Sequence, residues 1–124
     1  MNRTILVADD DKDNRAIMAA ALGAAGYRVL LACDGLEAVD AAVKERPDLI
    51  LLDMSMPRLS GWDAVRRLKA EPRTEGIPVF AFTAHALAGD ELKAREAGCD
   101  GYVAKPCIPR DVVAKIARTI GRPE

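Results

Sequence analysis

Leu49-Ile-Leu-Leu-Asp53-Met-Ser55-Met-Pro57 runs four apolar residues straight into a carboxylate and then on to a proline. An unbroken apolar run, as opposed to an alternating one, suits a strand buried on both faces, as in a parallel sheet covered by helices. The same pattern recurs at 5–8, 29–32, 79–82 and 102–104. Between these runs lie helical spacings. Ile17, Ala20, Ala21 and Ala24 share one face of a first helix, and Leu36, Val39 and Val43 one face of a second. Trp62, Val65 and Leu68 mark a third, and Ala88, Leu92 and Ala97 a weaker fourth. Val112, Val113, Ile116 and Ile120 define a fifth, with Pro109 near its start and Gly121 after its end. Pro47, Gly76, Pro78, Gly98 and Gly101 punctuate the returns from helix to strand. Five strands alternating with five helices predict an α/β fold: a five-stranded parallel sheet, right-handed crossovers and helices on both faces. Periodicity leaves the strand order open.

Composition sets the class. A length of 124 residues predicts one domain, 1–124, with a core that folds without staples. Half of the residues are hydrophobic and 30% charged, as in a soluble globular protein, while 4% aromatic content leaves Ala, Val, Leu and Ile to build the core. A formal net charge of −1 gives no basis for attraction to nucleic acid or membrane. The apolar stretch near the N-terminus ends at Asp9, too soon for a signal peptide or a membrane span. Cys33, Cys99 and Cys107 form no metal-ligand spacing with the single His85. They read as reduced thiols of a cytoplasmic protein, acting as small buried hydrophobes.

The chemistry lies in the polar residues at the end of each apolar run. Strand one ends in Asp9-Asp10-Asp11, strand three in Asp53, strand four in Thr83 and strand five in Lys105. Ligands of open α/β sheets bind outside the carboxyl ends of the strands. One aspartate after a strand is an ordinary turn former or helix cap; four strands delivering polar groups to one rim describe a site. Carboxylates about 4 Å apart repel by roughly 4 kcal/mol per pair at an effective dielectric of about 20. Such a cluster must hold protons or a cation. Oxygen-only ligands suit a hard ion such as Mg²⁺. A carboxylate beside it can attack phosphorus, and Lys105 and Thr83 can contact the phosphoryl oxygens.

Four motifs occur in order: Ile5-Leu-Val-Ala-Asp9-Asp10, Leu51-Leu-Asp53-Met-Ser-Met-Pro57-Arg-Leu-Ser-Gly61, Ile77-Pro-Val-Phe-Ala-Phe-Thr83-Ala84 and Gly101-Tyr102-Val-Ala-Lys105-Pro106. With them, almost the whole chain resembles a response-regulator receiver domain of the CheY-like kind, closest in style to single-domain cell-cycle or hybrid-kinase receivers. The resemblance implies the flavodoxin-like strand order 2-1-3-4-5, with the switch point between strands one and three. It implies that Asp53 is the phosphoacceptor and Asp10 a direct Mg²⁺ ligand. Asp9 would act through water and the carbonyl of Ser55 would complete the set, with Mn²⁺ as a possible substitute metal. Lys105 would pair with the phosphoryl group, Thr83 would swing toward it and Tyr102 would move with it. Pro106 would follow a cis peptide bond, and Gly61 would permit the turn after strand three. Asp11 would cap the first helix.

Ser55 and His85, two residues past acceptor and threonine, would tune the lifetime of the phosphoryl group. The donor, a histidine kinase or histidine phosphotransferase, is expected at Asn14, Arg15, Met18 and Leu22. A downstream target protein is expected at the face of helix four, strand five and helix five (Lys93, Arg95, Glu96, Tyr102, Arg110, Lys115). The resemblance implies a cytoplasmic monomer or weak dimer without nucleic-acid or membrane partners. It also implies no enzyme beyond its own phosphorylation and dephosphorylation chemistry. A free-standing receiver is expected, with a receiver excised from a hybrid kinase as the alternative. A haloacid-dehalogenase-type phosphohydrolase would need a second Asp where Ser55 stands, and a flavin carrier would find its phosphate repelled by Asp9, Asp10 and Asp11.

Overall fold

The computed structural model describes residues 3–54, 56, 58–83, 90–104 and 108–121, the side chains of residues 90 and 91 excepted. In chain order the elements are β1 (Thr4–Ala8), α1 (Lys12–Ala24), β2 (Arg28–Ala32), α2 (Gly35–Glu45), β3 (Leu49–Asp53), α3 (Gly61–Ala70), β4 (Val79–Thr83), α4 (Asp90–Ala97), β5 (Gly101–Ala104) and α5 (Pro109–Ile120). The strands form one parallel sheet in the order β2-β1-β3-β4-β5. Every residue of β1, β3 and β4 is buried, as their unbroken apolar runs demand.

The sheet separates two cores. Leu6, Ala8, Ile50, Leu52, Val79 and Ala81 face α2, α3 and α4. Ile5, Val7, Leu49, Leu51, Phe80 and Phe82 face α1 and α5. The two layers differ in grain. Three helices cover the first face and approach it through small residues such as Ala38, Ala42, Ala64 and Ala94. Only two cover the second, and Phe80, Phe82, Tyr27 and Met18 supply the missing bulk.

Helix α1 corrects the sequence reading. Ile17 is 55% exposed and Ala20 and Ala24 are exposed, whereas Met18 and Leu22 are buried in the second core. Alanine periodicity is a weak guide because an alanine loses little by facing water, while a Met–Leu pair one turn apart buries far more apolar area. Met18 and Leu22 therefore cannot form a docking surface. In α2, Ala38 and Ala42 are buried while Leu36, Val39 and Val43 are half-buried at the margin. In α4, Ala94 and Ala97 face inward and Leu92 is 61% exposed; Ala88 lies outside the described residues. Helices α3 and α5 match expectation, through Val65 and Leu68 and through Val112 and Ile116.

Leu22→Ala is expected to destabilise the fold by about 2–5 kcal/mol in urea denaturation, and Ile17→Ala by no more than about 0.5 kcal/mol. The reverse ranking would put the Ile17 face of α1 against the sheet.

Candidate phosphoryl and metal site

Strand register brings the acids together. Ala8 of β1 pairs with Leu52 of β3, so Asp9 and Asp53 leave the sheet side by side. They do so at the switch point, because the chain passes from β1 to β2 on one side and returns to β3 on the other. Asp9, Asp10 and Asp53 each present a carboxylate oxygen, and these oxygens lie within 4.8 Å of one another. Asp9 and Asp53 are buried at 2% and 3% exposure and Asp10 is exposed, so the cluster opens to solvent on one side. The donors are all hard oxygens, a set that fits a small divalent cation.

Local bonds fix each acid. The Asp11 amide donates to Asp9 Oδ1 at 2.9 Å. Asp11 itself caps α1, as expected, by accepting from the amides of Asp13 at 2.8 Å and Asn14 at 3.2 Å. The Arg15 guanidinium donates to the Asp9 carbonyl at 2.8 Å, which places a positive charge beside the cluster. Asn14 and Arg15 are half-buried, and Arg15 is bound to the end of β1 through this bond.

On the other flank, the Met54 amide donates to the Phe82 carbonyl at 3.1 Å and the Gly61 amide to the Met54 carbonyl at 3.2 Å. A Cβ at Gly61 would stand 2.4 Å from the Asp53 carbonyl oxygen and 2.5 Å from Met54 Cα. Gly61 is thus needed for close backbone approach, not for a left-handed turn, since its φ is not positive.

Thr83 ends β4, beyond the pairing of Asp53 with Phe82, and is 3% exposed. Tyr102 lies on edge strand β5, paired with Ala81 and half-buried. Its carbonyl accepts from Lys115 Nζ at 2.8 Å. Lys93, Arg95, Glu96 and Arg110 are exposed and Lys115 is half-buried. Ser55, His85, Lys105, Pro106 and Cys107 lie outside the described residues.

Sequence reasoning missed a second polar group. Asp34 stands after β2, caps α2 by accepting from the Glu37 amide at 2.8 Å, and receives Arg58 Nε at 3.2 Å. Cys33 is exposed, against expectation, and donates its thiol to Glu37 at 3.2 Å. That hydrogen bond, with desolvation and the Glu37 and Asp34 charges, raises the Cys33 pKa and keeps the thiol protonated. Cys99 is buried as expected, and burial raises its pKa to about 11. Asp34 had a signal of its own, being another aspartate close behind a strand run. Arg58 had none.

A doubly wound sheet with paired acids at its switch point, a buried threonine on the next strand and an aromatic on the edge strand defines a signalling module built to accept phosphate. The chain belongs to the response regulator receiver domain family, whose profile matches residues 5–117. It is 38% identical over 111 residues to the polar-differentiation response regulator DivK of Brucella anthropi, covering 89% of this chain and 90% of that one. Among solved structures it is similar to the receiver domain of a sensor histidine kinase from Pseudomonas aeruginosa, with 36% identity and a TM-score of 0.90. That match covers 98% of this chain and 99% of the other, which holds a magnesium ion in its active-site cleft. The chemotaxis protein CheY4 of Vibrio cholerae is similar at 27% identity and a TM-score of 0.89, over 95% and 98% of the two chains. The family consists of signalling proteins, and this chain is a phosphoacceptor signalling module. No helix among the described residues is long and apolar enough to cross a membrane.

Relief of charge crowding is measurable. Without divalent cations, Asp10→Asn is expected to melt higher than wild type, by on the order of 1 kcal/mol because Asp10 is exposed and screened. Added Mg²⁺ should stabilise wild type and raise Asp10→Asn less. Equal metal-induced shifts in the two proteins would show that Asp10 takes no part in metal binding.

Proposed function

We propose that Asp53 accepts a phosphoryl group from the phosphohistidine of a histidine kinase or histidine phosphotransferase. The observation that carries this reading is the convergence of the Asp9, Asp10 and Asp53 oxygens within 4.8 Å at the switch point. Asp9, Asp10 and Asp53, with the Ser55 carbonyl, would hold Mg²⁺, and Mn²⁺ could substitute. The bound metal would supply charge neutralisation for the acids and the transferring phosphoryl group. A carboxylate oxygen of Asp53 attacks phosphorus, the P–N bond to the donor imidazole breaks, and the imidazole nitrogen takes up a proton. Lys105 and the Thr83 hydroxyl contact the equatorial oxygens.

Thr83 moving toward the phosphoryl group would vacate space that Tyr102 can enter, biasing a two-state equilibrium of the face made by α4, β5 and α5. That face offers exposed Leu92 and Ile108 and a groove of about 440 Å³ beside Tyr102, Val103 and Lys115. A downstream protein would dock there. The setting is the cytoplasm, the state a monomer or weak dimer, and no nucleic acid or membrane takes part. Catalysis stops at the chain's own phosphorylation and dephosphorylation.

Incubation with Mg²⁺ and a small phosphodonor should add one base-labile phosphoryl group, seen by mass spectrometry and lost in Asp53→Asn. Labelling of Asp53→Asn at the wild-type level would refute the assignment. Ser55, being short, would leave the solvent side of the phosphoryl group open, and His85 would shield it. Dephosphorylation of His85→Ala should run a few-fold faster than wild type, a barrier change of roughly 1 kcal/mol. An unchanged lifetime would remove His85 from that role.

A further inference from the structure

The segment after Asp53 is held at two separate points. Near its end, Gly61 packs directly on the backbone of Asp53 and Met54. Before that, Arg58 and Leu59 are fastened to the start of α2. Arg58 Nε meets Asp34 Oδ2 at 3.2 Å, and a Cβ on Gly35 would sit 1.9 Å from the Leu59 carbonyl oxygen. Met54, Met56 and Leu59 are buried in the core beneath.

The geometry of this tie is specific. Asp34 stands after β2 and Arg58 after β3, and β1 runs between those two strands. The ion pair therefore joins the connections that follow the two strands flanking β1, the strand that delivers Asp9 and Asp10. It lies on the side of the sheet covered by α2 and α3.

Two details argue against a casual surface pair. Arg58 adopts φ 66°, the left-handed region in which a side chain is disfavoured, so the surroundings must hold it there. Asp34 has a side chain only 9% exposed and serves at once as the α2 N-cap and the Arg58 partner. Its two oxygens are divided between the two tasks, so neither can drift without the other.

We infer that Arg58, acting through Asp34, is a positioning residue for metal binding at the acidic site. The pair ties Arg58 and Leu59, downstream of Asp53, to the start of α2, so that the acids at the ends of β1 and β3 keep the spacing a divalent cation needs. The inference rests on the proposed metal-binding role of Asp9, Asp10 and Asp53.

The sign of the effect separates positioning from plain electrostatics. If the pair only tunes charge, Arg58→Ala leaves Asp34 uncompensated and should tighten cation binding, while Asp34→Asn should weaken it. If the pair positions the loop, both weaken binding. Asn at 34 can still accept from the Glu37 amide, so Asp34→Asn keeps the helix cap. Arg58 is 62% exposed at its side chain, so its replacement leaves the core intact.

The experiment is calorimetric titration with Mg²⁺ of wild type, Arg58→Ala, Arg58→Gly, Arg58→Lys, Asp34→Asn and the Arg58→Ala/Asp34→Asn double variant, with melting curves taken without metal. Each of Arg58→Ala and Asp34→Asn should raise the Mg²⁺ dissociation constant about tenfold, the low end for groups that orient metal ligands. The double variant should be no worse than either single one, as for two partners of one interaction. Arg58→Lys should stay near wild type. Arg58→Gly, which adopts the positive φ freely, should fall with Arg58→Ala. Recovery of wild-type binding by Arg58→Gly, additive single effects, tighter binding by Arg58→Ala, or lowered melting with unchanged Mg²⁺ affinity would each overturn the inference. Failure of wild type to bind Mg²⁺ would instead overturn the reading of the acidic site on which it rests.

Discussion

The carboxylates of Asp9, Asp10 and Asp53 repel one another, and two of the three are almost sealed from water. Burying charge without compensation is costly, so the groups that contact the cluster matter. Part of the compensation comes from the start of α1. The Asp11 amide binds Asp9, Asp11 caps the helix, and Arg15 one turn later brings a guanidinium to the Asp9 carbonyl. The positive end of the α1 dipole adds to the same effect. Beneath the rim, β1, β3 and β4 are buried at every position, so the strands that carry the acids and Thr83 are held by packing on both faces. A rigid sheet fixes how far the charges can separate.

That division of labour explains how much of the fold and site is legible in the sequence. Strands buried on both faces must be apolar throughout, so β1, β3 and β4 appear as continuous runs, and Asp9, Asp53 and Thr83 fall where those runs end. The strand order cannot be read this way, because periodicity records burial and not neighbours; it comes from the motif resemblance and is the order observed. Helix faces are legible only where large residues carry the pattern. In α5, Val112 and Ile116 point correctly. In α1, five alanines dilute the signal, and the Met18–Leu22 pair that decides the orientation reads as a partner surface in place of core. Each large side chain is drawn inward more strongly than an alanine, and Met18 and Leu22 act on the same face.

The loops are less legible, for a different reason. Asp34 and Arg58 are 24 positions apart and meet only because β2 and β3 flank β1. Nothing local in either residue's surroundings encodes the other. Lys69 is similar: its ammonium group binds the Ile77 carbonyl at 2.8 Å and Asp100 at 2.9 Å, joining α3 to the turns before β4 and β5. Contacts of this kind arise from topology once the sheet exists. They therefore become visible only at the level of the fold.

The β5 edge of the sheet differs from its centre, and this bears on how a signal could leave it. All four residues of β5 are half-buried, in contrast to the fully buried strands that carry Asp53 and Thr83. Side chains there have room to change rotamer while the backbone remains paired to β4. An edge strand also risks pairing with a foreign strand. Lys115 counters this by placing its ammonium group on the Tyr102 carbonyl, one of the groups an added strand would need. The same bond anchors α5 to the residue expected to move. A partner docking at this edge, as proposed, would then meet side chains (Tyr102, Ile108 and their basic neighbours) before backbone. A surface read through side chains responds to a rotamer change, whereas one read through a backbone ladder would not.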